Sequence, residues 1–363
     1  MKAIDLATSV ATKKDWKGHS DLTLDDSVIV FEPTTNKLIE SNVIDASVIE
    51  GDFDCVSYGE GKSKLSLLAT EACTVPHASK YAAQKSKPRN PLWKLSSLSK
   101  LVAEKDSIYT PTSGYKNQDG VCLPEYDLRF IGLWLTDGNT NKSSGGISIS
   151  QSEHQTIENE YIVNVLENCG FSYKLYEVGG YTNFKENGRR MNYTIHRGCI
   201  DGKRDPNGVS RLDYILTKNF HTDLMAMTKD QMTYVLDSAY IGNGFKSKTS
   251  YKRGEKLWNQ NVFSFCTSNK SFAYRFNLLS TFNGVNSTVS SIDRSNINGK
   301  TIYICRVELK TNKIYRCLGG QTYSDRDSMK RVTHKGLMWN VKHELQHLPV
   351  VCERNGKTVM VGM

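Results

Sequence analysis

In residues 129–141, RFIGLWLTDGNTN, apolar side chains run almost unbroken as far as Leu135, and the run then stops at Thr136-Asp137-Gly138. The pattern predicts a helix that runs into a turn. Asp137 sits awkwardly in it, because a helix C-terminus carries partial negative charge and disfavours an acid unless a cation lies beside it. Downstream, GGISISQS alternates as a strand and EHQTIENEYIVNVLENCG reads as a helix. FSYKLYEV and MNYTIHRG then form a hairpin-like pair, with Asn187-Gly188 as its turn.

The same order begins again at residue 232. MTYVLDSAYIGNG is an apolar helix ending at Asn243-Gly244, followed by the strand NVFSFCTS, the helix NKSFAYRFNLLSTFNG and the strands VNSTVSSID and KTIYICRVELK. Asn243 lies 106 residues after Asp137 (243 − 137). Gln151-Ser152 and Thr267-Ser268 occupy matching places before the two later helices, where Ser is a good cap. An ordered series of this kind predicts an αββαββ unit duplicated in one chain. The outer parts echo each other too, since Asp26-Ser27-Val28 and Asp106-Ser107-Ile108, preceded by Trp16 and Trp93, stand 80 residues apart (106 − 26). Both predict a polar lead into a β-rich segment, and hence an all-β N-terminal region with internal pseudo-symmetry.

Composition narrows the class. A chain of 363 residues, 38% hydrophobic and 23% charged, has enough material for two domains with real cores. No apolar run reaches the ~20 residues of a bilayer span, and the N-terminus lacks a secretory pattern. Nine cysteines without a CxxC pair read as reduced core thiols, so a cytoplasmic protein is expected. The net charge of +9 is compatible with a polyanionic partner. Its distribution says more, because Lys185, Arg189, Arg190, Arg197 and Lys203 crowd one polar stretch, and Lys246, Lys248, Lys252, Arg253 and Lys256 crowd another. Both stretches read as exposed loops.

FIGLWLTDG and LDSAYIGNG resemble the two motifs of a single-chain LAGLIDADG homing endonuclease, and the flanking αββαββ order is similar to that family's. The outer segments resemble the Hint fold of inteins, the self-splicing elements that often carry such an endonuclease. AIDLATSVATKKDWKGHSDLTLDDSVIVF resembles the first intein block, Thr74-Val75-Pro76-His77 the TxxH block, MWNVKHELQHLPVV the late block with His347 at its His, and RNGKTVMVG the closing strands. The resemblance covers essentially the whole chain in the family's order.

It implies an α+β multidomain protein, in which an all-β Hint fold is interrupted by a duplicated αββαββ endonuclease domain. Residues 1–123 and 313–363 would form the Hint domain, and 124–312 the insert, with halves at about 124–219 and 220–312. Gly132, Ser238 and Ala239 are small enough to let the two motif helices approach closely, which brings positions 137 and 243 into one site. There Asp137 and Asn243 would ligate Mg²⁺, for which Mn²⁺ can substitute, and Lys310 is the candidate basic residue beside the metal. The partner implied is double-stranded DNA at the intein-less host gene, read by strands and held through phosphates by Arg189, Arg190, Lys252 and Arg253. Host exteins would flank the precursor, and the protein would act as a monomer, with no membrane.

Three positions depart from the family. Asn243 stands where the second motif has an acid; an amide oxygen can ligate a metal but brings no charge, which leaves double-strand cutting, nicking or binding alone as outcomes. Met1 stands where a nucleophilic Cys or Ser is expected, and a thioether cannot attack a carbonyl. Met363 follows Gly362 where inteins end in a cyclising Asn. The chain as written is therefore expected not to splice, with Thr74, His77 and His347 marking the splicing site.

Overall fold

The computed structural model describes residues 1–59, 65–79, 82, 92–103, 108–140, 147–178, 190–195, 220–253, 256–294, 300–309, 314–317 and 329–363. The Asn187-Gly188 turn, Arg189 and Lys310 lie outside them, as do the side chains of Arg190, Asn243, Lys252 and Arg253. The chain divides into two compact units. One contains Met1–Asn117, Tyr274–Ser290 and Val307–Met363, and the other Gln118–Ala273 and Ser291–Arg306. Residues 274–290 thus group with the outer segments rather than with the interval 124–312.

The first unit is built on a long ribbon. Strand Lys37–Tyr58 pairs antiparallel with Lys330–His343, from Ser57 opposite Lys330 to Val43 opposite His343, with an irregularity at Lys342/His343. Ser27–Glu32 pairs with the start of that strand, and Val350 joins it opposite Val30. Val350–Arg354 and Lys357–Val361 form a hairpin across Asn355-Gly356, which have φ of 53° and 72°. An Asn-Gly pair suits this turn because both central residues need positive φ. These last strands are buried almost throughout, which explains their continuous apolar runs. Val28, Val30, Trp339, Val350 and Val359 meet in one core with Ile4 and Leu101. A short helix, α1 (Leu98–Ala103), stands where the sequence pattern predicted only β structure. It turns Leu98 and Leu101 into that core, a spacing of three that suits one helical face.

The second unit opens with α2 (Glu125–Asp137), two strands Gly138–Thr140 and Ile147–Ser152, α3 (Thr156–Asn168), and two more strands Tyr173–Val178 and Arg190–Ile195. Along the chain the order helix, two strands, helix, two strands then recurs as α4 (Lys229–Asn243), Gly244–Arg253, Lys256–Thr267, α5 (Lys270–Phe282), Ser287–Arg294 and Lys300–Val307, with Tyr274–Ser290 of this series belonging to the first unit. The first four strands form one sheet, in which Gly138–Thr140 and Arg190–Ile195 flank Ile147–Ser152, and Tyr173–Val178 lies at the edge. Gly244–Arg253 and Lys256–Thr267 form a ribbon paired from Gly244/Phe265 to Arg253/Lys256, with Lys300–Val307 beside its second strand.

Three local expectations are corrected. Asp137 is the last residue of α2, but no turn follows, because Gly138 is already extended (φ −69°, ψ 143°) and starts a strand. Ser152 ends a strand rather than capping α3; at α5 the cap is Asn269, whose side-chain oxygen accepts from the Phe272 amide at 2.9 Å. The second basic cluster lies on paired strands rather than in a loop, since cross-strand pairing continues through Lys246, Lys248, Lys252 and Arg253.

Candidate active site

Helices α2 and α4 touch at backbone distance. A Cβ placed on Gly132 would lie 2.3 Å from the Val235 carbonyl oxygen, 2.8 Å from Ser238 Cβ and 3.0 Å from the Ala239 nitrogen. Only glycine fits there, and Ser238 and Ala239 opposite it are fully buried. Around this contact α2 buries Leu128, Leu133, Trp134 and Leu135, and α4 buries Val235 and Leu236. Hydrophobic burial at about 25 cal/mol per Å² makes this pair the scaffold that fixes both helix ends.

Away from the C-termini, the pair is tied by a cation. Arg129 donates to Glu125 at 2.8 Å and to the Tyr161 hydroxyl at 2.8 Å, and its guanidinium carbon lies 4.9 Å from the centre of the Tyr234 ring. Asp237 sits 3.9 Å from the same guanidinium, and the hydroxyls of Tyr161 and Ser238 share a hydrogen bond of 2.7 Å. Asp237 is thus engaged with Arg129, a turn and a half away from the end of α4.

At the C-terminal ends the helices converge again. A Cβ on Gly242 would lie 2.4 Å from Thr136 Oγ1 and 3.3 Å from a carboxylate oxygen of Asp137. The structure therefore brings Asp137 against the last turn of α4, next to position 243. Gly138 lets the chain leave α2 directly as a strand, for a Cβ there would lie 2.0 Å from the Trp134 ring. Thr136 turns its hydroxyl back to the Gly132 carbonyl at 3.0 Å, which leaves Asp137 as the acid at this end.

The electrostatics favour a cation. Two helix C-termini meet there, each contributing partial negative charge, and Asp137 adds a formal one. Among the described residues no group of three or more His, Cys, Asp or Glu side chains gathers as a metal cage. One carboxylate beside the free backbone carbonyl oxygens of two helix ends suits a hard cation that keeps several of its waters, as Mg²⁺ does. The residues present fit that ion.

The strands leaving the helices have two distinct faces. In Ile147–Ser152 the burial alternates, with Ile147, Ile149 and Gln151 buried and Ser148, Ser150 and Ser152 half-exposed. The sequence-predicted alternation of this strand therefore has its polar side outward. Arg190 opens the return strand, and Lys252 and Arg253 close the ribbon strand.

The first unit holds a second cluster, and it differs from the predicted one. The peptide unit joining Lys2 to Ala3 is held from both sides: the Asn340 amide donates to the Lys2 carbonyl, and the Ala3 N–H donates to Thr70 Oγ1 at 3.0 Å. Thr70 donates to the Met1 carbonyl at 3.0 Å, and the Cys73 thiol to the Ala3 carbonyl at 3.4 Å. Burial pushes the Cys73 thiol up, although hydrogen bonds with the Thr70 side chain and the Ala3 backbone pull the other way. Thr74 is one residue further on and pairs with the other end of the chain: its N–H donates to the Gly362 carbonyl at 2.9 Å, and Gly362 N–H to its carbonyl at 2.7 Å. A Cβ on Gly362 would lie 2.2 Å from Thr74 Oγ1.

The other predicted splicing residues are spread out. The Met1 side chain is exposed, and Met363 packs partly on the core. His77 is buried, with Nε2 3.0 Å from Ser96 Oγ. His347 is exposed in the turn after Lys330–His343, whereas His343 is buried, with Nδ1 3.1 Å from Ser41 Oγ. Thr70, Cys73 and Asn340 escaped the sequence reading. The signal that could have found them is a second Thr-x-x-x spacing, Thr70 to Cys73, four residues before Thr74 to His77.

No protein-family model matches the sequence, and no curated protein matches it. Solved structures do. Mesophilic variants of the homing endonuclease I-DmoI share 14% identity over 52% of this chain and 90% of theirs, with a TM-score of 0.33. The N-terminal LAGLIDADG domain of DUF199/WhiA shares 10% identity over 50% of this chain and 73% of its own, with a TM-score of 0.32. Full-length DUF199/WhiA from Thermatoga maritima shares 10% identity over 50% of this chain and 52% of its own, with a TM-score of 0.31. No helix among the described residues is long and apolar enough to cross a membrane.

Proposed function

We propose that the chain is a LAGLIDADG-type, site-specific endonuclease acting on double-stranded DNA, carried as an insert within a Hint-type domain. One observation carries this reading: α2 and α4 pack through Gly132 so closely that Asp137 meets the last turn of α4, and each helix runs straight into a β-strand. That arrangement puts an acid and two helix C-termini at the base of two β surfaces. Asp137 would hold Mg²⁺ or Mn²⁺, with Asn243 as the uncharged counterpart at the other helix end. Bound there, the ion would supply an activated water and offset charge on the scissile phosphate. The chain's own part is to orient the duplex on its strands and to fix the Asp137 carboxylate by helix packing. Arg189, Arg190, Lys252 and Arg253 serve as phosphate contacts and Lys310 as the basic residue near the reaction.

The test begins with duplexes enriched from a randomised library by binding to the purified chain. Wild type should cut or nick the enriched duplex with Mg²⁺, and Asp137→Asn should bind it comparably while losing at least two orders of magnitude in rate. Binding without any cutting by wild type under Mg²⁺ or Mn²⁺ would establish the rival reading, a recognition protein silenced at position 243.

For the first unit we infer a splicing-type site displaced from the ends predicted by sequence. The gripped Lys2–Ala3 peptide bond favours it, since Asn340 polarises its carbonyl while Thr70 engages its N–H. Ala3 carries no nucleophile, so this bond stays intact. Placing a thiol there, Ala3→Cys, should permit attack on the Lys2 carbonyl. With added hydroxylamine, mass spectrometry should then detect loss of residues 1–2, and Asn340→Ala should suppress it. An unchanged intact mass in Ala3→Cys would remove this reading and leave the nuclease reading untouched.

A further inference from the structure

The half-exposed face of the first sheet has a chemistry of its own. Register places Ser150 opposite Asn192, and Asn192 opposite Tyr176, in one row across three strands. Ser148, Thr194 and Lys174 form the next row on the same face. No acid stands among these six residues, whereas Ile147, Ile149, Tyr193 and Ile195 on the opposite face are buried. Such a face complements a polyanion, and its groups are hydroxyl, amide and aromatic rather than apolar.

Within the row one side chain is fixed. Ser150 Oγ donates to Asn192 Oδ1 at 2.6 Å. An Asn amide has an acceptor end and a donor end. With Oδ1 turned toward Ser150, the NH₂ group lies at the other end of the Asn192 amide, turned away from Ser150. Tyr176, 46% exposed, stands next to it on the edge strand with an apolar ring to offer. In the major groove, an amide donor finds keto acceptors on guanine (O6, with N7) and thymine (O4), and an apolar ring finds the thymine methyl.

The position along the strand fixes where this would happen. Gly138, the first residue after α2, pairs with Ile149, the chain neighbour of Ser150. The row therefore sits beside the point where α2 hands over to the sheet. We propose that Ser150, Asn192 and Tyr176 form one base-reading row, in which Asn192, held as a donor by Ser150, recognises a keto base close to the cut. This rests on the nuclease reading above and specifies one part of its target.

The experiment compares binding preferences, base pair by base pair, for wild type, Asn192→Asp, Ser150→Ala and Tyr176→Ser on the enriched duplex. Asn192→Asp is nearly isosteric but has only acceptors. It should lose preference for guanine or thymine at one position, by on the order of tenfold, and gain preference for a base offering an amino group. Ser150→Ala frees the amide to turn, so selectivity should relax at that same position and nowhere else. Replacing thymine there by uracil should weaken wild-type binding but not Tyr176→Ser if the base is thymine; guanine at the position leaves Tyr176→Ser neutral. The position should fall within about five base pairs, half a helical turn, of the cut. Profiles of Asn192→Asp and Ser150→Ala superimposable on wild type, or weakened equally at every position, would overturn the proposal while wild-type binding kept the nuclease reading alive. A wild type that enriches no duplex overturns both.

Discussion

Gly132 has no room for a side chain, since the atom nearest to an added Cβ is a backbone oxygen of the facing helix. Backbone cannot swing aside as a flexible side chain can, so Gly132→Ala should cost ~1–3 kcal/mol, as overpacking typically does. Urea unfolding of the full chain measures it, and a stability equal to wild type would refute the close helix contact. Arg354 presents the opposite case, a charge that needs its partner. It donates to Asp5 at 2.9 Å and to Ser66 at 2.8 Å, with little exposure on either side. Arg354→Met leaves Asp5 buried without its cation and should destabilise the first unit by about 3–5 kcal/mol. A third residue gives pH dependence. Burial, with His347 nearby, holds the His343 imidazole below its ordinary value, against a hydrogen bond with the Leu348 backbone. The unfolded chain therefore takes up its proton first as pH falls through about 6.5. Stability from this group is full above that pH, declines toward the lower native value, and levels off below it. Unfolding midpoints between about pH 8 and about pH 5 should show that decline, and His343→Asn should remove it.

At the scale of elements, the four long helices α2 to α5 were legible, whereas the short α1 and the most polar strands were not. The run from Leu128 to Leu135 announces α2 because it is apolar at nearly every position, and the helix is buried on all sides from Phe130 to Leu135. Its end was misread as a turn, because Asp-Gly is ordinarily turn chemistry; here glycine is needed to clear the Trp134 ring. The ribbon Gly244–Arg253 with Lys256–Thr267 includes KSKTSYKR and KLWNQN, stretches too polar for any apolar alternation to reveal them. The site shows the same division. Asp137 stood out because an acid at a helix end is anomalous, and the recurring element order supplied Asn243. Thr70, Cys73 and Asn340 stayed hidden, since what joins them to Ala3 is the pairing of distant strands. Ala69 lies opposite Ile4, and Ile4 opposite Trp339. At this scale the prediction concerns the ribbon. Reversing its charge with Lys252→Glu and Arg253→Glu should weaken duplex binding about equally across sequences and flatten its salt dependence, as lost phosphate contacts do. A sequence-selective loss in the binding profile would instead assign these residues to base reading.

Over the whole molecule, two compact units carry two proposed chemistries. The first unit gathers residue 3, residues 70–74, Asn340 and Gly362 from far-apart parts of the chain, and the second gathers the ends of α2 and α4. The two activities should therefore be separable by substitution: Asp137→Asn should leave hydroxylamine cleavage in Ala3→Cys unchanged, and Ala3→Cys should leave DNA cutting unchanged. In the proposed site, position 243 stands opposite Asp137 without the charge its role calls for. Strand-specific cleavage of an end-labelled, enriched duplex in Mg²⁺ by wild type, Asn243→Asp and Asp137→Asn tests this. Asn243→Asp should cut at least tenfold faster than wild type, with both strands broken, and Asp137→Asn should cut neither. Cutting by Asp137→Asn at the wild-type rate, or no gain from Asn243→Asp, would contradict it.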